Sequence, residues 1–311
     1  MLSPLVELVG HPLAEARDIP SVGVRLQPLS TTADRPPALF GAWSAGSWVN
    51  RTTGRLATAT MDRLYAKTVA GFRDRLGLPP IPARALRRRR SAEQWPILHG
   101  FSPVVVPRPT DWRPGLDVVG YWWPPRPLDW QPQDELVSFL ESGAPPVFLS
   151  FGSLLMAKEE SARLSELVPR ALRMAGVRGV IQAGWAGLDA TSDDVLTIGD
   201  VPHDWLFDRV AAVAHACGAG TTGAGLRAGL PAVGIPEPGG DQPFWARRLR
   251  ELGVSAATLS RRGLTAERLA AAIEAALTDP TYGTNAKQLA ERVADDDGVG
   301  EAAAAVEQLT S

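Results

Sequence analysis

The chain has 311 residues, 45% of them apolar and 21% charged, with a net charge of −2 and a single cysteine. Such a length builds one large or two ordinary domains, and the near-neutral balance leaves no broad basic surface for nucleic acid. The lone Cys217 excludes an internal disulfide and fits a reducing compartment, which points to the cytoplasm.

In chain order, the opening MLSPLVELVGHPLAEARD has no basic leader and no uninterrupted apolar core, so it does not read as a secretory signal. Helical spacing runs over Leu5 to Ala16 and Arg55 to Leu76, while Val22 to Leu26 and Val104 to Val106 read as strands. Pro36, Pro37, Trp43 and Trp48 mark a long irregular loop between them. The basic run Arg87 to Arg90 follows Pro79, Pro80 and Pro82 and has two readings. One is a solvated loop or helix end; the other is a peripheral membrane contact through anionic lipid heads. Pro103 to Pro132 holds Trp112, Trp122, Trp123 and Trp130, which suits a connection packed by aromatics and kept irregular by proline.

From Pro146 onward strands and helices alternate. Val147 to Phe151, Gly179 to Ala183, Val195 to Ile198, Ala211 to Ala214 and Ala232 to Ile235 are short apolar runs. Helices are expected over Ala162 to Met174, Asp204 to Asp208, Thr221 to Ala228, Gln242 to Leu252 and Thr265 to Leu277. That alternation predicts an α/β fold with a doubly wound parallel sheet, whose ligands sit beyond the C-terminal strand ends. Asp295-Asp296-Asp297-Gly298 reads as a turn between terminal helices, the second of which contains Ala302 to Ala305.

The densest signal lies in Ala211 to Pro231. An apolar strand runs through His215-Ala216-Cys217 into Gly218-Ala219-Gly220-Thr221-Thr222 and a helix-like stretch. Small residues admit a ligand close to the backbone, and a helix start offers free N–H groups and partial positive charge to an anion. Gly239-Gly240-Asp241-Gln242 adds a second glycine-rich loop with a polar pair suited to hydroxyls. Cys217 reads as a small filler of the turn, because no base accompanies it.

The lettering resembles the donor-binding region of nucleotide-sugar glycosyltransferases of the GT-B fold. The nearest group is the bacterial sterol and antibiotic glucosyltransferases, with HHGGAGTT, LRAGVP and GDQPFW in order. Here the matching segments are His215 to Thr222, Leu226 to Pro231 and Gly240 to Trp245. The resemblance implies an acceptor-side α/β domain over 1–110, a Pro/Trp linker over 111–135, a nucleotide-sugar domain over 136–290 and a C-terminal helix over 291–311. It also implies that the chain starts after the family's first strand, glycine-rich loop and helix, so the acceptor-side domain is incomplete. An apolar edge left uncovered there favours homo-oligomers.

By the same resemblance, a hexose passes from a UDP- or TDP-sugar to a hydroxyl of a lipophilic acceptor such as a sterol, polyketide or antibiotic aglycone. Inverting, metal-independent chemistry is implied, with the nucleotide sugar as substrate and no cofactor. Gly152 and Ser153, with Gly218, Ala219, Gly220, Thr221 and Thr222, would clamp the diphosphate. Asp241 and Gln242 would bind the sugar hydroxyls, Asp241 serving also as a helix cap. Val201, Pro202 and His203 would lie against the nucleobase, with Asp204 capping a short helix. Two departures stand out. The family's second, phosphate-contacting His is Ala216, beside a retained His215, and the Pro236 to Gly240 loop is one residue longer. The general base is expected on the missing early loop, so no catalytic residue is assigned. His11 reads as a helix-entry residue and His99 as a turn residue. Ala216 and the missing front leave an alternative, a non-catalytic or auxiliary homologue that binds nucleotide weakly.

Overall fold

The computed structural model describes residues 1–41, 43–153 and 155–309. Its elements begin with α1 (Glu7–Ala16), β1 (Gly23–Arg25), α2 (Ser47–Arg75), α3 (Ala83–Ala92), β2 (Ile97–His99) and β3 (Leu116–Val118). Next come α4 (Asp134–Glu141), β4 (Val147–Ser150), α5 (Lys158–Met174), β5 (Gly179–Gln182), β6 (Val195–Ile198) and α6 (His203–Leu206). They continue with β7 (Ala212–His215), α7 (Ala219–Arg227), β8 (Ala232–Gly234), α8 (Gln242–Glu251) and β9 (Ser255–Thr258). The chain closes with α9 (Ala266–Thr278), α10 (Pro280–Ala294) and α11 (Gly298–Gln308). Two units result: Met1–Trp123 together with the chain from Asp296 onward, and Pro124–Asp295.

The first unit holds a parallel sheet in the order β1-β2-β3. Val22 and Leu98 pack with Ala302 of α11, and Val119, Trp122 and Val306 join them. Asp297 caps α11 by accepting from the Gly300 N–H at 2.9 Å, and the Trp122 indole donates to the Gly298 carbonyl at 2.9 Å. The expected strand at Val104 to Val106 is instead a turn, in which the Ser102 carbonyl takes the N–H groups of Val105 and Val106. Both valines are buried, so their apolar character serves the core without a strand. The long helix starts at Ser47, earlier than its expected start at Arg55.

The basic run lies on α3, and carboxylates already face most of it. Arg87 pairs with Asp62 of α2 at 2.7 Å, Arg89 with Glu15 of α1 at 3.0 Å, and Arg90 with Glu7 at 3.4 Å. Arg73 of α2, only 1% exposed, also binds Glu15, at 2.6 Å. The run thus lies toward a helix end, one of the readings its composition offered, and its ion pairs tie three helices together.

The second unit is the doubly wound sheet, all parallel, in the order β6-β5-β4-β7-β8-β9. Its core joins Leu149 and Ile181 of the sheet to Leu164 and Leu172 of α5 and to Leu269 and Ile273 of α9. The chain lays down β4, β5 and β6 in one direction, then returns to place β7 on the other side of β4. The switch point between β4 and β7 is where a sheet of this kind leaves a crevice for a ligand. Two elements here had not been expected, α4 and β9. β9 reads Ser255-Ala256-Ala257-Thr258, too small and too weakly apolar to stand out as a strand. Of the residues assigned to a linker, Trp112 is buried in the first unit, whereas Trp130 meets Trp205 edge-on in the second at 5.4 Å.

Candidate functional site

Register sets the site. Ser150 is abreast of Gln182 on one side and His215 on the other, Gln182 is abreast of Ile198, and His215 of Gly234. The loops holding Gly152 and Ser153, Val201 and Pro202, Ala216 to Gly218, and Asp241 therefore leave neighbouring C-terminal strand ends.

The turn after β7 is braced from behind. Cys217 adopts φ +59°, and its N–H donates to Nδ1 of His215 at 3.2 Å. The Nδ1 acceptor leaves the His215 proton on Nε2, and burial holds the ring down to about 4. His215 is thus a neutral brace. Burial likewise pushes the Cys217 thiol up to about 12, so it stays protonated and packs. The Ala216 N–H donates to the Ser150 carbonyl at 3.2 Å, which seams this turn to the strand that leads into Gly152. Ala216 itself is 5% exposed and joins the core cluster.

Helix α7 starts at Ala219, with Gly218 as its cap residue, two positions ahead of the expected opening at Thr221. The N–H groups of Ala219, Gly220 and Thr221 consequently have no intrahelical partner. The Thr222 N–H already binds the Gly218 carbonyl at 2.9 Å, and its enclosed hydroxyl has no hydrogen-bond partner among the described residues. The anion-facing donors therefore sit one turn earlier than Thr222.

Val201 and Pro202, expected against the nucleobase, are half-buried in the loop that follows β6. His203 stacks on Phe207 with ring centroids 4.5 Å apart and meets Phe148 edge-on at 5.8 Å. Burial lowers its pKa, against the pull of Asp200 and Asp204. One face of the ring is thus occupied by the protein's own aromatic. Asp204 does not cap α6; its carboxylate binds Arg126 at 2.9 Å.

The polar pair is also tied down. Asp241 occupies the cap position of α8 without a capping bond, and its Oδ2 accepts from the Trp245 indole at 2.9 Å. Gln242 Oε1 accepts from the Glu237 N–H at 2.8 Å. Those bonds use Asp241 Oδ2 and Gln242 Oε1, the second polar atom of each side chain being Asp241 Oδ1 and Gln242 Nε2. Gly239 at φ +94° and Gly240 at φ +67° form the loop ahead of them, in a conformation that favours glycine.

Three residues without a motif join the site. Ser150 donates to Gln182 Oε1 at 2.8 Å, Gln182 Nε2 donates to Asp200 Oδ1 at 3.1 Å, and Ser150 Oγ accepts from the Gly152 N–H at 2.9 Å. Their one sequence signal is a polar residue closing each of two apolar strands. An open recess of about 640 Å³ lies between α5 and the loop after β5, lined by Lys158, Glu166, Trp185 and Asp189 among others. None of the predicted site residues borders it. Among the described residues no group of His, Cys, Asp and Glu is arranged to hold a metal ion.

The remaining histidines lie in the first unit. His99 closes β2 and is not a turn residue. Its Nδ1–H donates to the Asp117 carbonyl at 2.9 Å, and its Nε2 accepts from the Ser30 hydroxyl at 2.8 Å. His11 lies inside α1, past its entry, with its ring edge-on to Trp95.

A family model described as the C-terminal domain of erythromycin biosynthesis protein CIII-like proteins matches residues 162–309. Sterol 3-beta-glucosyltransferase UGT80A2 of Arabidopsis thaliana is 40% identical over 208 residues, 65% of this chain and 32% of the relative. O-mycaminosyltylonolide 6-deoxyallosyltransferase of Streptomyces fradiae is 38% identical over 237 residues, 76% of this chain and 55% of the relative. This chain is a homologue of the sterol and antibiotic glycosyltransferases. The glycosyltransferase homologue spans about a third to about half of those two relatives. Its GT-B fold agrees with the solved glycosyltransferase VinC in complex with DTDP, at a TM-score of 0.62 and 20% identity, over 96% of this chain and 69% of that one.

Proposed function

We propose that this chain binds the nucleotide-sugar donor of a hexosyltransferase acting on a hydroxyl of a lipophilic acceptor, a sterol, polyketide or antibiotic aglycone. The observation that carries the reading is the switch point. There the Gly152 loop and the first turn of α7 face one crevice, with Asp241 and Gln242 on the next loop but one. The names of the Arabidopsis and Streptomyces relatives support a hexose donor and such acceptors. The DTDP complex of a similar fold supports a UDP- or TDP-sugar.

In this reading the free N–H groups of Ala219, Gly220 and Thr221, with Ser153 on the turn that Gly152 shapes, take the diphosphate; the Gly152 N–H itself is held by Ser150 Oγ at 2.9 Å. Charge on the diphosphate grows as the sugar–oxygen bond breaks, so donors fixed in advance favour the transition state over the ground state. The partial charge of α7 takes the part that a cation plays elsewhere, so no metal or cofactor is needed. Asp241 Oδ1 and Gln242 Nε2 orient the sugar for attack from the opposite face, with inversion. Val201 and Pro202 border the base. No base for the acceptor hydroxyl is assigned, because His215 is neutral and committed to its own turn. The relatives are named as transferases, which does not favour the auxiliary alternative. The free buried thiol suits the cytoplasm, and among the described residues no helix is long and apolar enough to cross a membrane.

Titration calorimetry with UDP, dTDP and UDP-glucose tests the reading. Saturable heat with a nucleoside diphosphate supports it; none at millimolar ligand overturns it.

A further inference from the structure

Gln182 ends the apolar strand Gly179-Val180-Ile181-Gln182, and both ends of its side chain are committed. Ser150 Oγ accepts from the Gly152 N–H, so its single proton must go elsewhere, and Gln182 Oε1 lies 2.8 Å away. That choice orients the amide and turns Nε2 to Asp200 Oδ1 at 3.1 Å. Asp200 immediately precedes Val201 and Pro202, and its charge also acts on His203. A chain of hydrogen bonds thus runs from the segment bordering the nucleobase, through Gln182 and Ser150, to the backbone N–H of the phosphate loop. Gly152 is held from its other side as well. Its carbonyl accepts from the Trp185 N–H at 3.3 Å, and a Cβ on Gly184 would come within 2.6 Å of that oxygen.

We propose that Gln182 is a positioning residue of the donor site: it sets the Gly152-Ser153 turn for the diphosphate according to where Asp200 holds the segment of Val201 and Pro202. The proposal rests on the donor-site reading above. At neutral pH the amide meets the demand that one end accept and the other donate. A methionine of similar length does neither, and a carboxylate opposes Asp200. Linked groups of this kind do not contribute independently.

Two measurements on the intact chain test it, with thermal melting to confirm that each variant folds. The first needs no ligand. In Gln182→Met, amide hydrogen exchange at Gly152 should quicken about tenfold while exchange along β7 is unchanged; an unchanged Gly152 overturns the proposal. The second is UDP calorimetry. Gln182→Met and Ser150→Ala should each weaken binding about tenfold, and the double variant should lose no more than the worse single one; additive losses, or wild-type affinity, overturn it. Gln182→Glu should bind poorly at pH 7.5 and recover toward pH 5.5, as its protonated carboxyl regains a donor and an acceptor; no recovery counts against it. If the wild-type chain gives no heat with UDP, the donor-site reading fails on its own, and Gly152 exchange still decides whether Gln182 holds that loop.

Discussion

The N–H of Cys217 is directed at Nδ1 of His215, two residues back at 3.2 Å, so the imidazole serves the turn as an acceptor and is excluded from proton transfer. His215→Ala leaves that buried N–H without a partner. Such a loss costs about 1–3 kcal/mol. Urea titration should show a lower midpoint by that amount with an unchanged slope.

The same burial makes acid destabilising. His215 is held down to about 4 and His99 to about 3, against 6.5 for a free imidazole. Between pH 6.5 and about 4 the unfolded chain binds protons there that the folded chain refuses, so stability is full above this window and falls as pH drops through it. Each group contributes a slope of about 1.4 kcal/mol per pH unit while only the unfolded form is protonated. Urea midpoints at pH 7.5, 6.0 and 5.0 should fall in that order. A flat series would show that the two rings are not buried as described.

Ala216 occupies the position where the resembling family carries a phosphate-contacting His. Ala216→His should tighten UDP binding about tenfold, in line with roughly 1.5 kcal/mol for a charge-assisted hydrogen bond. It should also lower the melting temperature, because the ring replaces a methyl group that is itself buried in the core. Unchanged or weaker UDP binding by calorimetry would remove position 216 from the phosphate contact.

Asp241→Ala should weaken UDP-glucose more than UDP, because Oδ1 is assigned to the sugar. It also removes the hydrogen bond between Asp241 and the indole N–H of Trp245, a fully buried side chain, and so lowers stability by about 1 kcal/mol. Asp241→Asn, which can still accept from Trp245, separates the two effects. Equal losses for both ligands would reduce Asp241 to a support for Trp245.

Leu5, Val9 and Leu13 recur every fourth residue and are exposed, and Leu56 and Leu64 of α2 are exposed too. Light scattering should show concentration-dependent association between copies, reduced by Leu5→Ser with Leu13→Ser. A monodisperse monomer at high concentration would contradict it.

Much of the second unit was legible because apolar strands four or five residues long alternate with helices, and because glycine-rich turns have few structural options. The start of α7 was misplaced by two residues, since Gly218 and Ala219 carry no side chain that marks a helix entrance. The first unit was read less well. Val105 and Val106 have strand-like lettering, but Ser102 captures their N–H groups, and no local pattern announces such a competing bond. The ion pairs of the Arg87 to Arg90 run were illegible because its partners Glu7, Glu15 and Asp62 are far away in sequence. For the same reason Gln182 and Asp200 carried no signal: their role exists only once register brings three strand ends abreast.

The sole thiol of the chain sits sealed in the turn that follows β7. An alkylating reagent can reach it only in the moments when that turn comes apart. The rate of labelling at Cys217 is therefore a built-in clock for local opening, one that a bound diphosphate would slow and that needs no engineered probe.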